Sequence, residues 1–326
     1  MPTFLVTSRM APALAARVQA SVTGRKRDPG ASSRMRRIAS LARLALVLVL
    51  VFATHTVVTT RQRMRADVEQ RRANLLEAVR AHAATLTAED QSAVARAERW
   101  LVRFSGAYEG DVVADEVRSR EARKSTLGRP AIYVRGTIES LRTSDGIAAA
   151  AATSAKDALL LCLSDPPAER TEAALLERVR TAYGGGVAAE ERSANVRRLD
   201  DAIVGLPFLL PPWADRVRAA EDANELARLK RDFERTPIER AKQAARAEIL
   251  VAAADEPGDG SGPTELDGER PHDVRITIVD LRRGEVLLRM RRHVDPSWIS
   301  AARRPMYATG LDGCAFAFDV HEALDR

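Results

Sequence analysis

Between Leu44 and Phe52 the chain reads LALVLVLVF, an apolar run with no stripe and no alternation. A helix that is apolar on every side has to be covered on every side, by a large core or by lipid. The run widens to Ile38–Val58, 21 residues with one charge, Arg43, close to its start. About 20 apolar residues cross the hydrocarbon core as a helix, and an arginine near the end of such a span reaches the headgroups with its guanidinium. Arginine clusters flank the segment on both sides, so residues 38–58 are expected to be a transmembrane helix rather than the core helix of a soluble fold.

A second reading of the same residues is a cleaved signal peptide. Met35-Arg36-Arg37 would form its basic start, and Val51-Phe52-Ala53 a small-residue processing site, giving a secreted or periplasmic protein cut near Ala53. The apolar character continues beyond Ala53 through Val57 and Val58, which favours an uncleaved anchor. Six basic residues lie in the twenty positions before Ile38 and five in the twenty after Val58. That bias keeps the amino terminus in the cytoplasm and puts the carboxyl-terminal domain outside it, in the cell envelope. Residues 1–37, rich in Ala, Ser and Arg, are expected to be a basic disordered tail.

Charge is distributed in the same sense. The net charge of +6 is the balance of +11 over residues 1–65 and −5 over the remainder. Nucleic-acid binding needs a basic face on the folded domain, and here the basicity belongs to the flanks of the apolar segment. An aromatic content of 4% leaves few stacking platforms for single strands or sugars.

After the membrane segment, Val68, Leu75, Val79, Leu86, Val94, Leu101 and Phe104 recur at the 3.6-residue period of a straight helix and share an arc of about 100°. The expectation is an amphipathic stalk helix over 59–105 that packs on its own domain, interrupted near Thr87, a residue able to cap a helix. A two-stranded coiled coil would hold a 3.5-residue period, so weak homodimerisation through the stalk is the lesser alternative. Residues 106–130, with Gly106, Gly110, Gly128 and Pro130, read as an irregular linker.

The folded domain is expected over 131–326. AIYVRGTI from Ala131 alternates like a half-buried strand, and ALLLCL at 158–163 reads as a strand covered on both faces. The Ala-rich stretch between them is a helix-length crossover, so the pair is expected to be parallel. Helices are expected over 168–183, 188–204 and 213–235. A further helix starts at TPIE, with Thr236 as cap and Pro237 in its first turn, and runs to about Ala253. An acidic Gly/Pro-rich loop occupies 255–271. Two strands then form a hairpin over 274–292, turning at Gly284, and a final helix is expected through Leu311, Cys314, Ala315 and Phe318, with a strand as the alternative because Phe316, Phe318 and Val320 also alternate. The fold class is α/β, or α+β, with a small mixed sheet of about four strands.

Three residues stand out as candidates for chemistry. Ligands gather beyond the carboxyl ends of parallel strands, where Gly136, Thr137, Ser164 and Asp165 are expected. Asp165 there is either a general base or metal ligand, or a turn residue ahead of Pro166 and Pro167. His293 and Asp295 form an H-x-D pair, two ligands where a stable metal site wants three or four. The alternative for that stretch is a strand end and an Asp-Pro turn, with Ser297 capping a short helix and Trp298 and Ile299 on the sheet. The sequence carries no phosphate loop, G-x-S-x-G, C-x-x-C, H-E-x-x-H or EF-hand pattern, so no cofactor or resident metal is expected.

The expected function is therefore a membrane-anchored envelope domain that contacts a protein partner and not nucleic acid. An enzyme or small-ligand binder working near Asp165 is the alternative. Cys162 and Cys314, the only cysteines, are expected to be buried, inert thiols, with a disulfide as the second possibility in an oxidising compartment.

Overall fold

The computed structural model describes residues 31–154, 159–183, 196–256, 271–300, 302 and 304–325. Residues 1–30 of the basic tail, most of the 255–271 loop and the start of the 188–204 helix lie outside the described residues. The chain divides into two compact units, Met1–Asp67 and Val68–Arg326.

Helix α1, Ala31–Ala83, contains the apolar run. From Leu44 to Val58 its large apolar side chains are 49–70% exposed to solvent, unlike those of any other helix described. The hydroxyls within and just after this stretch donate back along the helix, Thr54 to Leu50 O at 2.9 Å, Thr56 to Phe52 O at 2.7 Å and Thr59 to His55 O at 2.9 Å. It is one candidate membrane-spanning helix, near the amino terminus.

In the second unit, Leu75 and Val79 of α1 are already buried in the domain core. The helix breaks after Ala83, and Thr87 restarts the chain as α2, Ala88–Gln91. Its hydroxyl accepts the Asp90 N–H at 3.1 Å while the Asp90 carboxylate accepts the Thr87 N–H at 2.9 Å, a capping box. Helix α3, Ala93–Phe104, then buries Ala93, Ala97, Leu101 and Phe104. The stripe from Leu75 onward packs into the core of the folded unit, and the helix expected over 59–105 is divided into α1, α2 and α3.

The linker expected over 106–130 is largely regular: strand β1, Val112–Val113, and helices α4, Asp115–Arg118, and α5, Arg120–Leu127. Ser119 caps α5 by accepting the Ala122 N–H at 3.1 Å. A lone Val-Val pair and a cap between short polar turns carry too little periodicity to be read in sequence.

Strand β2, Ala131–Thr137, is followed by a short 3-10 turn and α6, Ser144–Thr153, then α7, Leu159–Ser164, and α8, Glu172–Tyr183. Residues 158–163 were expected to be a strand, and 159–164 form a helix instead. An apolar run of six residues has no period of its own, so strand and buried helix look alike in it. The crossover from β2 ends in β3, Val196–Arg198, after which come α9, Leu199–Gly205, α10, Pro211–Ala219, and α11, Ala223–Arg235. Helix α12 is short, Ile238–Ala245, with Pro237 in the cap position, and Ile249–Asp255 is strand β4. The helix expected to reach Ala253 therefore ends eight residues sooner. Alanine favours helix locally, but Ala252, Ala253 and Ala254 are wholly buried between layers, and pairing with β2 over seven residues overrides propensity.

Strands β5, His272–Asp280, and β6, Glu285–Val294, form the hairpin, with Gly284 at φ +69 in its turn. Asp280 accepts the N–H groups of Arg282 and Arg283, each at 2.9 Å, and fixes the reversal. Helix α13, Arg304–Leu324, completes the chain. Among the described residues the sheet has six strands rather than about four, in the order β1-β6-β5-β4-β2-β3. β2 is parallel to β3 and β4, and the remaining pairs are antiparallel.

The class is mixed α/β. One face of the sheet packs on the carboxyl-terminal part of α1, on α3, α6 and α9–α12, and the other on α4, α5, α7, α8 and α13. β2 alternates Ile132 and Val134 into the first core and Ala131 and Tyr133 into the second. It is buried on both faces rather than half-buried.

Cys162 on α7 and Cys314 on α13 are disulfide-bonded, with Cα atoms 5.1 Å apart. This corrects the expectation of two free thiols. A helical α7 packs alongside α13 and presents Cys162 to it, and that separation is within the range a disulfide bridges.

Candidate functional site

The ligand edge was expected at the carboxyl ends of β2 and of a strand at 158–163, and the chain closes the β2 end tightly. A Cβ on Gly136 would lie 2.6 Å from Ser140 Oγ, so this glycine lets the turn after β2 fold onto the strand end. The Thr137 hydroxyl accepts the Ser140 N–H at 3.1 Å, and Ser140 Oγ donates to Thr137 O at 2.9 Å.

Asp165 lies beyond helix α7, not beyond a strand, and is ion-paired with Arg178 at 2.6 Å and Arg120 at 3.7 Å. His293 and Asp295 do not converge. His293 Nδ1 is 2.9 Å from Asp273 Oδ1 across the hairpin, while Asp295 Oδ1 accepts the Ser297 N–H at 2.9 Å. Asp295, rather than Ser297, caps the short turn at Pro296–Trp298, and Ile299 is buried against the sheet. Among the described residues, no group of three or more His, Cys, Asp or Glu side chains stands in metal-binding proximity.

Two polar arrangements escaped the sequence reading. In the first, Asp255 ends β4, Arg135 lies on the neighbouring β2, and His272 opens β5. All three are buried. Arg135 donates from Nη2 to Oδ1 at 2.7 Å and from Nε to Oδ2 at 3.0 Å, and His272 Nε2 lies 3.2 Å from Oδ1. Burial alone would raise the Asp255 carboxyl, but the Arg135 charge and the His272 hydrogen bond outweigh it and hold the group below its ordinary range. The signal in sequence was an arginine inside an otherwise apolar strand. Alone it does not say which of 45 acids it meets. With charges matched and lone pairs occupied, the cluster clamps three strands together.

The second arrangement is an open depression of about 380 Å³, part of it bulk solvent, between α3, the segment leading to β1, and the β5–β6 hairpin. Its polar lining is Arg103, Arg275, Arg289, Thr277 and Glu109, with Trp100 and Tyr108 supplying aromatic faces. Arg103 stands over Trp100 and Arg275 over Tyr108, each guanidinium carbon 5.3 Å from the ring centroid. Backbone carbonyls hold two of the arginines in place: Arg275 donates to Gly106 O at 2.7 Å and Arg289 to Gly110 O at 2.9 Å.

Arg289 also donates to Glu109, and this hydrogen bond, with the Arg289 charge, lowers the Glu109 carboxyl. Burial and the hydrogen bond to Asp111 push the Tyr108 phenol up to about 12, so it stays protonated at neutral pH. Beside Arg289 the arrangement favours a carboxylate, while Arg275 is already paired with Glu256. The aromatic-arginine pairs could not be found by spacing, because Trp100–Arg103 is an ordinary helical neighbour pair and Arg275–Tyr108 is a long-range contact.

Comparison of the chain with protein-family models, curated proteins and solved structures finds no match.

Proposed function

We propose that this is a single-pass membrane protein, anchored by residues 38–58 with its amino terminus in the cytoplasm, whose extracytoplasmic α/β domain works by contacting another protein. The observation that carries the reading is the exposed apolar surface of α1 from Leu44 to Val58, which in water would have nothing to cover it. The back-donated threonine hydroxyls suit it, since polar groups in lipid need partners within the helix. The Cys162–Cys314 bond suits an oxidising compartment. The competing enzyme reading starts from Asp165, whose carboxylate is already engaged by two arginines at the surface.

Fractionation tests the anchor. The full-length protein is expected to stay in the membrane pellet through high-salt and alkaline washing, with residues from Val68 onward digested by protease added outside intact cells or spheroplasts. Release into the soluble fraction with a new amino terminus at Thr54 would replace the anchor with a cleaved signal peptide. Protection of the domain would reverse the topology. Protein contact is tested by cross-linking in the intact membrane: a discrete adduct to a second protein is expected, and a domain that remains uncross-linked under several chemistries counts against it.

A further inference from the structure

We propose that the arginine-lined depression between α3 and the β5–β6 hairpin docks an acidic segment of the partner protein, whose carboxylate takes the place of Glu109 on Arg289. The inference rests on the protein-contact reading and names the surface and the partner's chemistry.

Charge gives the first argument. The chain after residue 65 carries a net charge of −5, yet three arginines and a single acid line this depression, and although Arg275 is paired with Glu256 behind it and Arg289 with Glu109, the Arg103 charge is left over. A local reversal of sign on an acidic body attracts anions and steers them.

The second argument is that the site already holds a carboxylate. Glu109 sits on Arg289 in the segment between Gly106 and Gly110, the latter at φ +95, and Arg289 and Arg103 both favour its ionised form. Because Glu109 is exposed, this ion pair is weak and open to exchange. Arg289 keeps its bond to Gly110 O when Glu109 leaves, so its guanidinium remains aimed at whatever replaces it, while Arg275 stays on Gly106 O and Glu256. The internal acid is then a competitor that a better-placed carboxylate displaces.

The third argument concerns the form of the ligand. The depression is open to solvent and does not enclose a small molecule, whereas a side chain from a segment lying across it meets Arg103 and Arg289 together with the Trp100 and Tyr108 rings.

Fluorescein-labelled hexaglutamate, titrated by anisotropy against the full-length protein in non-ionic detergent, is the probe. Saturable binding that weakens with added salt is expected, with hexalysine not bound. Removing the competitor with Glu109→Gln should tighten binding about threefold, and Arg103→Gln should weaken it about fivefold while Arg103→Lys retains most of it. Both positions are on the surface, so circular dichroism should be unchanged in all three variants.

Absence of saturable hexaglutamate binding, equal binding of hexalysine, or unchanged or weaker binding by Glu109→Gln would overturn the proposal. So would displacement of the peptide by phosphatidylserine vesicles at equal charge, which would make the surface a lipid site. Cross-linking in the membrane separates this inference from the reading beneath it. Adducts that persist unchanged in Arg103→Gln place the partner elsewhere and sink only the inference; if wild type forms none, the protein-contact reading fails, and the peptide titration still decides the charge of the site.

Discussion

Asp255 receives Arg135 through both carboxylate oxygens, at 2.7 and 3.0 Å, although 120 residues separate the two in sequence. The pair joins adjacent parallel strands at their carboxyl ends, and His272 extends it to the first residue of β5. Such a cluster is stable only when complete, because each partner offsets the desolvation of the other.

Breaking the cluster on one side should therefore cost far more than losing a surface pair. Asp255→Asn or Arg135→Met is expected to destabilise the domain by about 3–5 kcal/mol, read as a lower urea midpoint. Since the folded carboxyl titrates below its ordinary value of 3.8, its contribution is fully present above that value and is lost as pH falls through the folded value. Equal stability of Asp255→Asn and wild type at pH 7 would remove the clamp from the account.

The Cys162–Cys314 bond closes a loop across 152 residues. Alkylation of the denatured protein without reductant should add no alkyl groups, and reduction should allow two. Replacing both cysteines by serine is expected to lower stability by about 2–5 kcal/mol. Two alkyl groups added before reduction would restore the free-thiol reading.

His321 is buried with Nε2 2.5 Å from Leu163 O, so that ring nitrogen carries the proton and donates. Burial lowers the imidazole below its ordinary 6.5, with the Arg123 charge acting in the same direction. The folded state thus prefers the neutral ring: the contribution is full above the unfolded value and diminishes as pH falls from there toward the folded one. Wild type should lose stability across this window, by at most about 1.4 kcal/mol per pH unit from this group. His321→Gln should lose less over the same interval, and identical slopes would exclude the effect.

Gly205 ends α9 where α12 crosses it, and a Cβ there would lie 2.4 Å from the Ala241 Cβ. Two rigid helices have to part to admit it. Gly205→Ala is expected to cost about 1–3 kcal/mol and Ala241→Gly to restore part of that loss in the double variant. A neutral Gly205→Ala would mean that the helices separate freely.

What the sequence determined by itself are the features whose cause is local. The apolar run at 44–52 has no other way to be satisfied than by being covered on all sides, and the hairpin declares itself through alternation on both strands and a glycine at the positive-φ position of its turn. The Thr87 cap is likewise written in neighbouring residues.

Tertiary structure decided everything that depends on a distant partner. LLLCLS and ILVAAAD are both short apolar runs without a period, and one became a helix and the other a strand because β2 had room for a parallel neighbour at Ile249–Asp255. The same assembly brought Cys162 to Cys314, Asp255 to Arg135 and His272, and Arg275 to Tyr108. Hydropathy and spacing report how a residue relates to neighbours a few positions away, whereas the free energy of these pairs comes from burial that exists only once the sheet and its two helical layers have formed.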